Sequence, residues 1–187
     1  IDYKLFINTG SSSEYGKKNG PMKENDILEP NSDYGFSKFA ATLYCDYFAK
    51  KHKKQAITLR LFSPFGPADS KNRLISSSIV NALRNKDLNL TSPDIERDYL
   101  FVEDAVDAYL AVMSSNLKLY GEIFNVGSGK RTKIAKVIKD ILKFTNSRSK
   151  INWNAYPLRE YDSKSWVADI RKIKKYSLSL LQTQESL

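Results

Sequence analysis

The chain has 187 residues, 41% hydrophobic and 27% charged, with a formal net charge of +9, one cysteine and one histidine. That is ample for a globular core of one domain or one and a half. The lone Cys45 excludes an internal disulfide, and the lone His52, in a Lys-Lys-His-Lys-Lys run, excludes a histidine-based triad elsewhere and any multi-histidine metal site.

The lysines are scattered rather than clustered, which reads as a solvated surface or as an excess that attracts a diphosphate or nucleic acid. No arginine-rich tract or zinc-finger spacing supports nucleic acid. Neither a signal peptide nor a bilayer-spanning apolar run is recognisable, so the expectation is a cytoplasmic protein without membrane contact.

In chain order, Leu5 to Asn8 reads as a buried parallel strand followed by a Gly/Ser loop. Ser11, Ser12 and Ser13 are either a polar turn or a source of hydroxyls for a site. Residues 17 to 32 read as a loop, after which Ser32 or Asp33 can cap a helix running to about Lys51. Phe36, Ala40, Leu43, Tyr44, Tyr47 and Phe48 give that helix a broad apolar face, which is core on the plainest reading. Cys45, inside the pattern, reads as buried rather than catalytic.

Ala56 to Phe62 is a second strand, and an amphipathic helix is predicted from Asn72 to Asn85. Leu88 to Leu90 and Ile151 to Trp153 read as short strands around a basic helix from Ile134 to Phe144. Gly127-Ser128-Gly129 suggests a phosphate loop or, preferably, a structural strand-to-helix turn. Arg97 is either an anion clamp or a surface ion pair with Glu96 or Asp98. Asp104 reads as a helix cap or first-turn acid.

The most chemically suggestive stretch is Tyr34-Gly35-Phe36-Ser37-Lys38. Positions four apart share one helix face, so the Tyr34 hydroxyl and the Lys38 ammonium can point into one site. A nearby cation favours tyrosinate, which makes the phenol a plausible general acid/base. A serine hydroxyl nearby can hold a carbonyl or alcohol oxygen. The same pentapeptide also occurs as an ordinary surface pair.

Taken together, Asn8-Thr9-Gly10-Ser11-Ser12-Ser13-Glu14-Tyr15-Gly16 and Pro30-Asn31-Ser32-Asp33-Tyr34-Gly35-Phe36-Ser37-Lys38 resemble the extended short-chain dehydrogenases/reductases. Within that group the chain is most similar to the nucleotide-sugar epimerase/dehydratase family. Arg60 with Ser63-Pro64-Phe65-Gly66-Pro67, the run Arg97-Asp98-Tyr99 to Asp104, Phe124 to Gly129, and Arg159 with Asp162 resemble further motifs of it. Ser63 stands where the family usually has asparagine, and Phe65 where it has tyrosine.

The resemblance implies an α/β fold: the C-terminal half of a Rossmann-type parallel sheet plus a small α/β nucleotide-sugar-binding lobe. Residues 1–67 would belong to the NAD(P)-binding domain and 68–187 mainly to the lobe, with some strands and helices returning. It implies Ser11, Tyr34 and Lys38 as catalytic residues. Thr9, Gly10, Tyr34, Lys38, Phe62 and Ser63 would contact NAD or NADP. Ser63, Arg97, Arg159 and Asp162 would contact a nucleotide-diphosphate sugar, and Asp169 would cap the last helix. No metal is implied, and a homodimer formed through the Tyr34 helix is.

The implied activity is hydride transfer at C4 of a nucleotide-linked hexose, as an epimerase or a 4-keto-sugar reductase. Family dehydratases resemble Thr-Asp-Glu where this chain has Ser11-Ser12-Ser13, which disfavours a 4,6-dehydratase. Glu14 is one position out of register for that role. No Gly-x-Gly-x-x-Gly or Gly-x-x-Gly-x-x-Gly occurs. The resemblance places such a turn, with about a hundred residues, upstream of Ile1. The alternative is a non-catalytic fragment that does not bind NAD by itself.

Overall fold

The computed structural model describes residues 3–115, 118–157 and 163–176. In chain order, β1 (Phe6–Ser11) runs into a 3-10 turn (Ser12–Tyr15), then come α1 (Asp33–His52) and β2 (Ala56–Leu61). The two-residue strand β3 (Pro64–Phe65) precedes α2 (Leu74–Leu83), and β4 (Leu88–Asn89), β5 (Glu96–Arg97) and β6 (Leu100–Phe101) lead into α3 (Val102–Met113). The longer β7 (Tyr120–Val126) is followed by β8 (Thr132–Lys133), α4 (Ile134–Phe144), β9 (Ile151–Asn152) and β10 (Ser165–Trp166).

The main sheet has the order β1-β2-β7, all parallel, with Phe6 opposite Ala56 and Ser11 opposite Leu61. Side chains alternate across a strand, and here the alternation sorts two chemistries. Ile7, Ile57, Leu59, Phe124 and Val126 face Ala105 and Val112 of α3 in an apolar cluster. Asn8, Thr58 and Arg60 face the opposite way. Asn8 donates to Thr42 of α1 at 3.4 Å and to Thr58 at 3.1 Å. The expected strand from Leu5 to Asn8 is therefore realised a little later, because the parallel ladder carries β1 through Gly10 and Ser11. Among the described residues β1 is an edge strand, and Phe6 on it is 48% exposed.

Ser32 caps α1 by accepting from the Gly35 N–H at 3.1 Å, and Lys50, Lys51 and His52 in the last turn complement the helix dipole. The side of α1 against the sheet is small: Gly35, Thr42 and Ala49 are its buried residues. Phe36, Leu43, Tyr44 and Tyr47 are all more than half exposed. The reading of that row as core is thus corrected for these four. Close approach of helix to sheet selects small residues on the inner face, and the large ones project away from it.

A second apolar cluster joins α2, β4 and α4 through Ala82, Leu88, Leu90, Ile95, Ile134, Ile138 and Ile141. A third, of Tyr15, Met22, Phe62 and Ala168, fastens the loop after β1 to the segment after β10. Met22 N–H donates to the Val167 carbonyl and Asp169 N–H to the Met22 carbonyl, both at 2.8 Å. Asp169 accepts from the Arg171 N–H at 3.0 Å, at the start of the helical segment 171–176, as the cap reading expects.

Asp98 joins these parts. It is fully buried, and its carboxylate accepts from Ser128 N–H (2.7 Å), Ser128 Oγ (2.6 Å), Gly129 N–H (2.9 Å) and Ala168 N–H (3.0 Å). The Gly127-Ser128-Gly129 segment is accordingly a structural turn. Replacing the carboxylate by an amide turns an acceptor into a donor facing backbone N–H groups. Asp98→Asn is expected to destabilise the intact protein by about 3 kcal/mol, read as a fall in its urea midpoint. An unchanged midpoint would remove Asp98 from its role as a joint.

Candidate active site

The carboxyl ends of β1 and β2 open on a cleft of about 330 Å³, where ligand sites of open parallel sheets lie. Thr9, Gly10, Ser11, Tyr34, Ser63 and Arg97 all line it. These residues come from segments far apart in the chain, and each was predicted from sequence. Ser12, Ser13, Arg73 and Trp166 complete the walls.

Ser11 ends β1 and caps the 3-10 turn. Its Oγ accepts from Ser13 N–H at 3.1 Å, and its own N–H donates to Glu14 Oε1 at 2.8 Å. The serines are therefore both a polar turn and a wall of the cleft. Tyr34, in the first turn of α1, is 57% exposed. Gly35 brings this turn against the serines, since a Cβ there would lie 2.6 Å from the Ser13 carbonyl oxygen. Lys38 Nζ donates to the Thr9 carbonyl at 3.1 Å and sits 5.9 Å from the Tyr34 ring centroid. The pentapeptide thus does place phenol and ammonium on one side of α1, tied to the end of β1.

The Phe62 side chain is fully buried between Tyr15 and Met22, so any contact it makes with a ligand goes through its backbone. Ser63 has φ 31°, a left-handed conformation costly for most residues and easier for asparagine and glycine. That gives a backbone reason for the asparagine the family usually carries there.

Arg97 lines the cleft and a larger neighbouring cavity of about 830 Å³, which also reaches Ser63 and Arg73. Its Nη1 donates to the Glu96 and Ser163 carbonyls at 2.9 and 2.8 Å, and the guanidinium lies 4.9 Å from the Trp166 ring centroid. Asp98 turns its carboxylate the other way. The larger cavity also takes Lys71 and Tyr99. Burial pushes the Tyr99 phenol up to about 12 against the pull of Arg97, and its hydroxyl has no hydrogen-bond partner among the described residues. Arg159 and Asp162 lie outside the described residues.

Sequence reasoning passed over Arg73, Tyr99 and Trp166 as wall residues, and it gave Glu14 no role. Arg60 carried the missed signal. It interrupts an otherwise uncharged strand, and a charge on a buried strand demands a partner. That partner is Glu14, at 2.8 Å, with both residues fully buried.

A family model described as the NAD dependent epimerase/dehydratase family matches residues 2–127, which is more than half of the chain. The chain belongs to that family. An uncharacterized UDP-glucose epimerase of Bacillus subtilis is 28% identical over 173 residues, covering 92% of this chain and 54% of the relative. The dTDP-4-dehydro-6-deoxyglucose reductase of Escherichia coli is 28% identical over 154 residues, covering 80% of this chain and 48% of the relative. The structure of a UDP-glucuronic acid 4-epimerase from Bacillus cereus, in complex with UDP-glucuronic acid and NAD, superposes with TM-score 0.87. It is 25% identical and covers 97% of this chain and 56% of that one. The chain therefore spans about half the length of these family members, and its α/β architecture with a parallel sheet is the Rossmann-type fold that the sequence resemblance implies.

The left-handed backbone at Ser63 generates a stability test. Ser63→Val is expected to lower stability by about 1–3 kcal/mol, and Ser63→Gly to leave it unchanged or raise it. Equal unfolding midpoints for the two variants would show that this φ carries no strain.

Proposed function

We propose that the intact protein transfers hydride at C4 of a nucleotide-linked hexose, using NAD or NADP, as a 4-epimerase or a 4-keto-sugar reductase. The observation that carries this reading is the single cleft in which Ser11 and Tyr34 meet Arg97, with Lys38 fastened to the Thr9 carbonyl beside it. The residues present fit the nicotinamide end of the cofactor: Thr9, Gly10, Tyr34, Lys38 and the backbone at Phe62 and Ser63. The glycine-rich turn that would take a pyrophosphate does not occur in this sequence. When bound, the cofactor supplies or accepts the hydride.

In the reducing direction, the C4 carbonyl oxygen takes the Tyr34 phenol proton as hydride arrives at carbon. In the oxidising direction the C4 hydroxyl returns its proton to the tyrosinate as the C–H bond breaks. Ser11 orients that oxygen by hydrogen bonding, and the Lys38 charge lies beside the phenol. Arg97, with Arg73 and Lys71 on the larger cavity, offers cations for a diphosphate. Arg159 and Asp162 are proposed as further contacts to the nucleotide. Epimerisation and reduction need only this proton relay. Elimination of water needs an acid and a base that Ser12 and Ser13 do not supply, and Glu14 is already committed to Arg60 and Ser11. Residues 1–67 with the returning α3 and β7 serve the cofactor side in this reading, and the α2–α4 lobe serves the sugar nucleotide.

We further propose that α1 pairs with its copy in a homodimer. Phe36, Leu43, Tyr44 and Tyr47 form an exposed apolar row of the kind that marks an interaction surface.

Tyr34→Phe in the intact enzyme is expected to cut turnover by about 100- to 10,000-fold, with nucleotide-sugar binding by calorimetry little changed. Near-normal turnover would sink the assignment. Net NAD(P)H consumption with a 4-keto sugar nucleotide marks a reductase, and interconversion without net consumption marks an epimerase. For assembly, Tyr44→Glu is expected to convert the intact protein from dimer to monomer in analytical ultracentrifugation. A variant that sediments like the parent would place the interface elsewhere.

A further inference from the structure

Behind the cleft lies a charged network that does not line it. Glu14 Oε2 accepts from Arg60 Nε at 2.8 Å. Arg60 Nη1 donates to the Tyr15 hydroxyl at 3.0 Å and to the Glu24 carbonyl at 3.3 Å. The Tyr15 hydroxyl donates in turn to Asn125 Oδ1 at 2.7 Å, and Asn125 Nδ2 donates to the Met22 carbonyl at 2.8 Å. Glu14, Tyr15, Arg60 and Asn125 are all fully buried. Burial pushes the Tyr15 phenol up to about 12, so it stays neutral. Gly10 makes room for the pair: a Cβ there would lie 2.6 Å from Glu14 Oε1 and 3.1 Å from Arg60 Cγ.

A buried ion pair is poor evidence for stabilisation, because desolvating two charges offsets most of their attraction. Apolar residues of similar size usually serve a core as well. What this pair does that they would not is hold Glu14 Oε1 at the Ser11 N–H, at 2.8 Å. From the other side, Ser13 N–H donates to Ser11 Oγ at 3.1 Å. With its amide anchored and one lone pair of its hydroxyl occupied, Ser11 has, among the described residues, its O–H proton left to donate into the cleft.

We infer that the Glu14–Arg60 pair is a positioning device for Ser11, fixing the hydroxyl that orients the sugar oxygen. The inference rests on the role of Ser11 proposed above. Glu14 and Arg60 touch neither substrate nor cofactor and act only through Ser11.

The test is a double-mutant cycle in the intact protein. Glu14→Leu/Arg60→Met replaces the pair by apolar groups of similar size, and it is made in the parent and in a Ser11→Ala background. Turnover is assayed on a panel of UDP-, dTDP- and GDP-linked hexoses and their 4-keto-6-deoxy forms, with NADH and NADPH. In the parent background kcat is expected to fall about 10- to 100-fold, with KM within about threefold and the melting midpoint nearly kept. In the Ser11→Ala background the same change is expected to do nothing further to kcat. An equal loss in both backgrounds, or none in the parent, overturns the inference while leaving the role of Ser11 standing. Parental turnover by Ser11→Ala alone, or no turnover on the whole panel, overturns the underlying reading instead.

If the double variant does not fold, Glu14→Gln, which keeps an oxygen for the Ser11 N–H and loses the charge, is carried through the same cycle. Its kcat is expected to fall about 3- to 10-fold in the parent background only. A second readout needs no substrate. Amide hydrogen exchange of the segment around Ser11 is expected to quicken in either variant, and unchanged protection there counts against the device.

Discussion

The structure depends on one buried carboxylate. Asp98 leaves the end of β5 and binds the turn after β7 through two backbone N–H groups and a hydroxyl, and it binds the strand segment at Ala168 through a third N–H. Those segments belong to different clusters of the core. The turn follows the main sheet, Asp98 follows the strand that carries Arg97, and Ala168 packs with Tyr15 and Met22. An ionised carboxylate with four donors in a dry interior is held by charge-assisted bonds that water cannot replace. Its geometry sets where the Arg97 strand lies relative to the ends of β1 and β2. The cleft is the gap left between those ends once Asp98 has drawn the parts together.

Two buried charges behave differently here. Asp98 is compensated by neutral dipoles, four of them converging on two oxygens. Glu14 is compensated by a full opposite charge and by one backbone N–H. The first arrangement organises backbone, because each donor but one is a main-chain group. The second organises side chains, passing from Arg60 through Tyr15 to Asn125. Both lie in the layer just behind the cleft wall. The wall itself is largely serines, an exposed tyrosine, an exposed Arg73 and a half-buried Arg97, which do not hold their geometry without such backing.

Much of this was legible from residue order, and the rest was hidden for identifiable reasons. The strand at Ala56, the helix cap at Ser32, and α4 from Ile134 to Phe144 all follow local rules of pattern and capping, and they stand where those rules put them. The gathering of Ser11, Tyr34, Ser63 and Arg97 was legible only through resemblance, since no local rule brings segments so distant in sequence into one place. The helix face at Phe36 to Tyr47 misled. Periodicity reports that an apolar stripe exists, but not which side of the helix the sheet occupies, and the small side won. Glu14 was misjudged because its spacing was compared with a catalytic register, while its actual partner lies across the strand ladder at Arg60. Arg73, just before α2, and Trp166, in the two-residue strand β10, reach the cleft by tertiary folding, and neither lies in a stretch long enough to show a period.

The charge on the chain sets a condition on any association through the exposed row of α1. Apolar side chains such as Phe36 and Tyr44 attract their like once two surfaces touch. What opposes the approach is repulsion between chains that each carry a formal charge of +9. That repulsion acts over about 10 Å at 0.1 M salt and over only about 3 Å at 1 M. The scattered lysines therefore act as a spacing device, and it is one that concentrated salt switches off.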